Sequence, residues 1–220
     1  MDMSGGAAVI HTVALAARLG IKANVVGLVP AVENATGAGA MRPGDILTSL
    51  SGKTIEILHT DAEGRVILAD AITYAKRYNP AIVADAATLT GAALTAFGEQ
   101  ASAVMCNRED MLQELQQLGE ASGDYVWPMP LWEEYDYIVK GRFGDVPNIP
   151  AQGNSRYAGV IAGGKFLEVF AKELGCPWLH LDIAPVMTAG DGHQLARGAA
   201  GAPVRYFLAL IEKYANHGKN

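Results

Sequence analysis

The seven residues His59-Thr60-Asp61-Ala62-Glu63-Gly64-Arg65 place two carboxylates and one arginine at a predicted junction between a strand and a helix. In an extended segment, residues two apart point to the same side, so Asp61 and Glu63 are expected to face one point, where a divalent cation would neutralise them. The apolar run 66–75 predicts a helix with Gly64 and Arg65 in its first turn, where free N–H groups favour anions. The stretch therefore predicts a cation site beside an anion site, although acidic residues before a helix also serve as caps and dipole partners.

Outward from this stretch, apolar segments of strand length and helix length alternate, which is the pattern of layered α/β folds. Residues 33–42 predict a loop, and 128–153, with its prolines and aromatic residues, is the least regular region. The predicted helices are 7–19, 66–75, 109–118, 166–174 and a last one opened by Pro203 and running to Tyr214. The predicted strands are 24–29, 81–87, 102–106 and 178–183, with a hairpin made by 45–50 and 54–58.

Composition narrows the function classes. A chain of 220 residues, half of them hydrophobic, is long enough for one domain with a real core. The net charge of −6, without a cluster of lysines and arginines, argues against nucleic acid as a partner. Cys106 and Cys176 lie far apart without a CxxC pattern, which is typical of buried thiols in a reducing compartment. No apolar run approaches the length of a membrane span and the start does not resemble a signal peptide, so we expect a cytoplasmic protein.

The complete string 59–65 resembles the signature of the leucine aminopeptidase family, the cytosolic two-metal aminopeptidases, which usually has Asn in place of His59. The resemblance covers nearly the whole chain. The segment 1–9 is similar to the family's aspartate-bearing start of a Gly/Ala-rich helix, and 85–92 is similar to its substrate-lining strand end and turn. The segments 178–184 and 186–188 are similar to its last core strand and pocket loop.

The resemblance implies a three-layer α/β sandwich with a central mixed β-sheet flanked by helices. It also implies that residues 1–220 form a leucine-aminopeptidase-type catalytic domain truncated at its N-terminal side. Family members carry a further metal-binding lysine and aspartate, and a catalytic lysine, in a segment that would precede Met1. We therefore expect those groups, and the family's separate N-terminal domain, to lie outside this sequence.

The resemblance also implies roles for individual residues. Two divalent ions, zinc or manganese and possibly magnesium, would be held by Asp2, Asp61 and Glu63, with Glu63 bridging both ions. Arg65 would act in catalysis by holding a bicarbonate-like anion or by stabilising the oxyanion. The substrate would be a peptide with a free N-terminus, and its leucine-like side chain would meet the predicted substrate-binding residues Thr88, Leu89, Gly91, Ala184 and Met187.

Other polar residues near these segments receive structural interpretations. His180 and Asp182 alternate on a predicted strand and could act as additional ligands, but we favour a core histidine with a satisfied hydrogen bond. Asp85 is expected to be a helix-dipole partner or to support the site from behind. His59, beside the acidic pair, could bind metal or hydrogen-bond to supporting groups, but a simple polar replacement of Asn is the favoured interpretation.

Three functions follow as hypotheses. The leading one is a metal-dependent aminopeptidase that assembles as a homo-oligomer, a hexamer by resemblance, with the aromatic region 125–143 as a packing surface. The second is a non-catalytic remnant of the same fold that serves as an oligomer scaffold, because the upstream metal ligands are absent. The third is a two-metal hydrolase that acts on phosphoesters.

Overall fold

The computed structural model describes residues 1–151, 157–189 and 197–217. Its α-helices are α1 (Ser4–Arg18), α2 (Gly64–Ala75), α3 (Gly91–Phe97), α4 (Leu112–Ser122), α5 (Gly159–Ala171) and α6 (Val204–His217). Its strands are β1 (Ile46–Thr48), β2 (Thr54–Glu56), β3 (Val83–Ala87), β4 (Ser102–Cys106), β5 (Val126–Pro128), β6 (Val146–Pro147), β7 (Trp178–Asp182), β8 (Thr188–Ala189) and β9 (Gly198–Ala199). Within these residues, no helix is long and apolar enough to cross a membrane.

The central sheet has the strand order β3-β7-β4-β5. β3 runs parallel to β7, β4 runs antiparallel to β7, and β5 runs parallel to β4, so the sheet is mixed as expected. Because side chains alternate along a strand, Trp178 and His180 face one side of β7 while Leu179 and Leu181 face the other. The strand is buried on both faces, which requires a helical layer on each side.

Two helical layers cover this sheet. On one face, α2 and α5 contribute residues such as Ile72 and Phe166, which pack in one cluster with Trp178. On the other face, α4 and α6 contribute Leu115 and Tyr206 to a second cluster, and α1 packs against α6 and β3. The fold is therefore a three-layer α/β sandwich, and the predicted fold class is confirmed.

A small sheet supports the acidic stretch. β1 and β2 form the predicted antiparallel hairpin, with Gly52 at φ 85° in its turn, and β6 adds to β2 in parallel. The chain leaves β2, forms a single 3₁₀ turn over Thr60–Ala62 and enters α2. The hairpin thus delivers the acidic stretch to the start of α2, at the end of the central sheet where β3 and β7 terminate.

Two predictions about local structure are wrong. Residues 24–29 form no strand, because within the described residues they have no neighbouring strand to bond with, although their composition favours β structure. Asp61 and Glu63 do not alternate along an extended segment, because the 3₁₀ turn and the start of α2 give both residues helical backbone. The predicted helix 166–174 is real but begins earlier, at Gly159.

Candidate active site

The acidic stretch is shaped by a cap at its first residue. The Nδ1 atom of His59 accepts a hydrogen bond from the Asp61 N–H at 3.1 Å, as an N-cap side chain does. This requires the neutral tautomer that carries its proton on Nε2. His59 therefore does for the turn what the Asn of the family signature can do, and it does so through its ring nitrogen.

A buried asparagine outside the stretch holds it in place. Asn148, which follows β6, is fully buried, and its Oδ1 accepts hydrogen bonds from the N–H groups of Leu58 (2.8 Å) and His59 (3.2 Å). Its Nδ2 donates to the carbonyl oxygens of His59 (2.6 Å) and Ala62 (3.4 Å). One amide side chain thus spans the segment that leads from β2 to α2.

Arg65, in the first turn of α2, is buried with 8% of its surface exposed. Its Nη1 donates to the backbone oxygen of Asn148 at 3.0 Å, while its buried Nε has no hydrogen-bond partner within the described residues. Burial lowers the pKa of Arg65 to about 10, although the carboxylates of Asp182 and Glu63 act in the opposite direction. The guanidinium is still charged at neutral pH, and its Nε is available as a donor as far as the described residues show.

Asp2 approaches from the other side of the site. It precedes α1, and its Oδ1 accepts a hydrogen bond from the Thr88 hydroxyl, just beyond β3, at 2.8 Å. α1 can approach β3 this closely because Gly5 has no Cβ atom. A Cβ atom at this position would overlap the backbone oxygen of Ala86. The contact places the start of α1 at the carboxyl end of β3.

Asp2, Asp61, Glu63 and Arg65 line one cleft of about 1330 Å³. The cleft lies between residues 22–34 on one side and β3 and α2 on the other, and its walls are mainly apolar. Within residues 1–151, 157–189 and 197–217, however, no group of three or more His, Cys, Asp or Glu side chains has an arrangement that could hold a metal ion. The predicted ligands share the cleft without forming a complete site, and their role as ligands stays a prediction.

The predicted substrate residues are divided between two places. Thr88 and Leu89 line the cleft beside the acidic residues. Gly91 opens α3, which packs against the turn that contains Ala184, and Met187 follows that turn. These last three residues are not part of the cleft lining.

Asp182, at the end of β7, connects the two places. Its Oδ1 accepts hydrogen bonds from the N–H groups of Leu89 (3.1 Å), Thr90 (3.3 Å) and Ala184 (3.3 Å). Its Oδ2 accepts from the Thr90 hydroxyl at 2.6 Å. The Leu89 N–H is therefore already bonded to Asp182, so a substrate hydrogen bond at this residue would have to use the carbonyl oxygen.

His180 and Asp85 form a buried pair within the sheet. The Nδ1 of His180 lies 2.5 Å from Asp85 Oδ1, and Trp178 Nε1 donates to Asp85 Oδ2 at 2.7 Å. Burial alone would lower the pKa of His180, but Asp85, helped by Asp182, outweighs burial and raises it. His180 is thus a core histidine whose Nδ1 is satisfied by Asp85, but its buried Nε2 has no hydrogen-bond partner within the described residues, so the prediction of a satisfied histidine holds only in part. Asp85 is the partner of both His180 and Trp178.

Sequence reasoning missed the roles of Asn148 and Asp182. Asn148 lies in the irregular region 128–153, and its only signal is one amide in the otherwise apolar run Val-Pro-Asn-Ile-Pro. Asp182 was considered only as an additional ligand. Its only signal in the sequence is an acid at the end of a predicted buried strand, because the turn 88–90 whose N–H groups it accepts is far away along the chain.

Comparison with known proteins identifies the class to which this fold and cleft belong. The model of the cytosol aminopeptidase family, catalytic domain, matches residues 1–208. The chain therefore belongs to the cytosol aminopeptidase family, as the resemblance implied.

Individual relatives agree with this assignment. A probable cytosol aminopeptidase of Syntrophotalea carbinolica is 48% identical over 214 residues, which are 97% of this chain and 42% of that protein. A mutant of tomato leucine aminopeptidase superposes with a TM-score of 0.83 at 34% identity, over 95% of this chain and 40% of the other. The bottromycin maturation enzyme BotP in complex with Mn superposes with a TM-score of 0.88 at 33% identity, over 97% of this chain and 47% of the other. The chain thus spans less than half the length of these relatives.

Proposed function

We propose that this chain provides most of the catalytic domain of a metal-dependent aminopeptidase that removes N-terminal residues, preferably leucine-like, from peptides. The observation that carries the proposal is the shared cleft of Asp2, Asp61, Glu63 and Arg65 in a chain of the cytosol aminopeptidase family. The alternative, a scaffold without activity, has no specific observation in its favour.

The donor chemistry of the cleft suits divalent ions. Carboxylate oxygens bind zinc, manganese and magnesium alike, and within the described residues no lysine or arginine forms a salt bridge with Asp2, Asp61 or Glu63. A related enzyme, BotP, is described in complex with Mn. Two bound ions would supply an activated water and polarise the scissile carbonyl. The three carboxylates are therefore a partial ligand set that needs further donors.

Arg65 is suited to hold an anion next to these carboxylates. Its charge is desolvated, its Nη1 is fixed by Asn148, and its Nε lacks a partner within the described residues. A buried donor without a partner costs free energy, so an acceptor is expected to bind there. We propose that this acceptor is a bicarbonate-like anion or the developing oxyanion of the substrate.

The peptide would lie at the carboxyl ends of β3 and β7. Asp182 fixes the turn 88–90 and the turn at Ala184, so Thr88 and Leu89 on one side and Gly91, Ala184 and Met187 on the other are proposed to contact the substrate side chain. Small and apolar residues at these positions favour a leucine-like group.

The cleft also supports the proposal that the catalytic domain has further strands. β3 is an edge strand within the described residues, and the strand-like segment 24–29 faces it across the cleft without a neighbour. A strand inserted between them would bond to the free backbone groups of both β3 and the segment 24–29. We propose that a segment carrying the family's additional lysines and aspartate fills this space, and that the complete protein is a cytoplasmic homo-oligomer, a hexamer by family resemblance. The DNA sequence upstream of the Met1 codon would test the first point.

The test of the activity is hydrolysis of leucine p-nitroanilide with manganese, with and without a chelator. In the complete protein we expect release of nitroaniline, and we expect the chelator to stop it. Glu63→Ala should abolish the release, whereas Arg65→Ala should slow it while metal remains bound. Metal binding without turnover would favour the scaffold. Hydrolysis of p-nitrophenyl phosphate in place of the anilide would favour the phosphoesterase.

A further inference from the structure

Asn148 stands out because its hydrogen-bonding capacity is completely used by one short segment. An asparagine side chain has two acceptor lone pairs and two N–H donors. All four are bonded within residues 58–62, to Leu58 N, to His59 N and O, and to Ala62 O. The side chain is fully buried, so water does not compete for these bonds.

The same residue also fixes Arg65. Its backbone oxygen accepts the Nη1 hydrogen bond, and its own N–H donates to the backbone oxygen of Glu56 at 2.9 Å. Asn148 is thus attached to the end of β2, to the turn before α2 and to the arginine in the first turn of α2. The candidate groups Asp61 and Glu63 lie between these attachment points.

The loop that carries Asn148 is itself anchored to the hairpin. The Oε1 atom of Glu56 accepts hydrogen bonds from the N–H groups of Arg142 (2.5 Å), Phe143 and Gly144 (2.6 Å). The Oδ2 atom of Asp145 accepts from the N–H and hydroxyl of Thr54, at 2.7 and 2.8 Å. Asn148 therefore sits on a rigid support, as a residue that orients a site requires.

We propose that Asn148 is a positioning residue of the active site, which sets the places of Asp61, Glu63 and Arg65 by holding the 58–62 segment. It touches neither substrate nor metal in this account, and it acts through the backbone of that segment. The inference rests on the proposed function for its consequence, metal affinity, but the clamp itself can be tested without metal.

The test compares Asn148→Leu, which keeps the side-chain volume and removes all four hydrogen bonds, with Asn107→Leu as a matched control. Asn107 bridges backbone in the same way, to Trp178 N at 2.8 Å and Cys176 O at 3.5 Å, but at the opposite end of β7. If Asn148→Leu does not fold, Asn148→Ser takes its place. Hydrogen exchange of the metal-free proteins measures the clamp, and titration with Mn²⁺ alone measures its effect on the site.

We expect faster exchange of amides in 58–65 in the Asn148 variant only, and a Kd for Mn²⁺ that rises about tenfold or more. Asn107→Leu should lower stability while leaving both quantities unchanged. Unchanged exchange in 58–65, or an unchanged Kd in a folded Asn148 variant, would overturn the inference. If the complete wild-type protein does not bind Mn²⁺, the proposed function fails, and the exchange result alone decides whether Asn148 clamps the segment.

Discussion

The two edges of β3 differ sharply. On one edge, five consecutive residues pair with β7 in parallel register, and Asp85 is buried with His180 and Trp178. On the other edge lies the cleft, and across it residues 24–29 stay irregular, with Val26 52% exposed. The contrast teaches that an apolar, β-branched segment becomes a strand only where a neighbour satisfies its backbone.

The candidate site lies across this boundary. Asp61, Glu63 and Arg65 belong to a segment that Asn148 ties to the small sheet. Asp2, in contrast, is held by one hydrogen bond from Thr88 and by the packing of α1 on β3. One part of the site is thus preorganised, whereas the other depends on the open side of the sheet.

The largest effect is expected on the closed edge. His180→Leu should lower the free energy of unfolding by about 3–5 kcal/mol, because it leaves the buried Asp85 carboxylate without the imidazole that bonds to its Oδ1. Urea denaturation measures this loss. The double variant with Asp85→Leu should recover part of the stability, and equal losses in both proteins would contradict the pairing.

The same pair predicts a pH dependence. Because the folded-state pKa of His180 is raised, the pair stabilises fully below about pH 6.5, the usual value of the unfolded group, and this stabilisation is lost as pH rises through the folded-state pKa. Urea titrations of wild type at increasing pH should show the decline. His180→Leu should lack this component of the decline, and the same slope in both proteins would refute the assignment.

The contact that places Asp2 should respond next. Gly5→Ala should cost about 1–3 kcal/mol, since its Cβ meets backbone rather than a movable side chain. Gly91→Ala, in open space at the start of α3, is the control and should change stability by less than about 1 kcal/mol. Thermal unfolding compares the two, and a Gly5 variant as stable as the control would disprove the close approach of α1 to β3.

A smaller effect is expected in the loop anchor. Burial raises the pKa of Glu56, but the amides of Gly144, Phe143 and Arg142 and the Arg142 charge outweigh it and lower the pKa. The anchor therefore stabilises the folded protein above about pH 4.3, the usual pKa of an unfolded glutamate. This stabilisation is lost as pH falls through the folded-state pKa of Glu56. Glu56→Gln should cost about 1–2 kcal/mol at neutral pH and flatten the acid limb of the stability curve. An unaltered acid limb in the Glu56 variant would contradict the role of Glu56 as the anchor of this loop.

The smallest effect is expected on the open edge. Val32→Ser, at a position that lines the cleft and is 62% exposed, should change stability by less than about 0.5 kcal/mol. Urea denaturation of this variant and of His180→Leu, measured side by side, compares the two edges of β3. A loss of several kcal/mol in the Val32 variant would mean that the cleft is already closed in solution.

The fold could be predicted where sequence periodicity is tied to local pairing. The hairpin of β1 and β2, the helix α2 and the strand β7 appear close to their predicted bounds. The strand 24–29 could not be judged from sequence, because its formation depends on a partner strand and not on its own composition. The 3₁₀ turn at Asp61 is not predicted from sequence either, because the ring of His59 caps it at the position where the family signature usually has the amide of Asn.

The candidate site was predictable only in its charged residues. The string 59–65 predicts Asp61, Glu63 and Arg65 as site residues because it places three charged side chains within five residues. Asn148 is 83 residues away from Arg65 along the chain, and nothing near it in sequence reveals that its hydrogen bonds close on the acidic stretch. Residues that orient a site through tertiary hydrogen bonds have no local pattern to read.

The most direct test of the account is calorimetric titration of Mn²⁺ into the complete protein that contains this chain, into its Asp61→Ala and Glu63→Ala variants, and into its Arg65→Ala variant. The account predicts binding to wild type, retained binding to the Arg65 variant, and loss of binding in both carboxylate variants. Absence of binding to the complete wild-type protein, or undiminished binding after either carboxylate is removed, would contradict the claim that Asp61 and Glu63 hold a divalent metal.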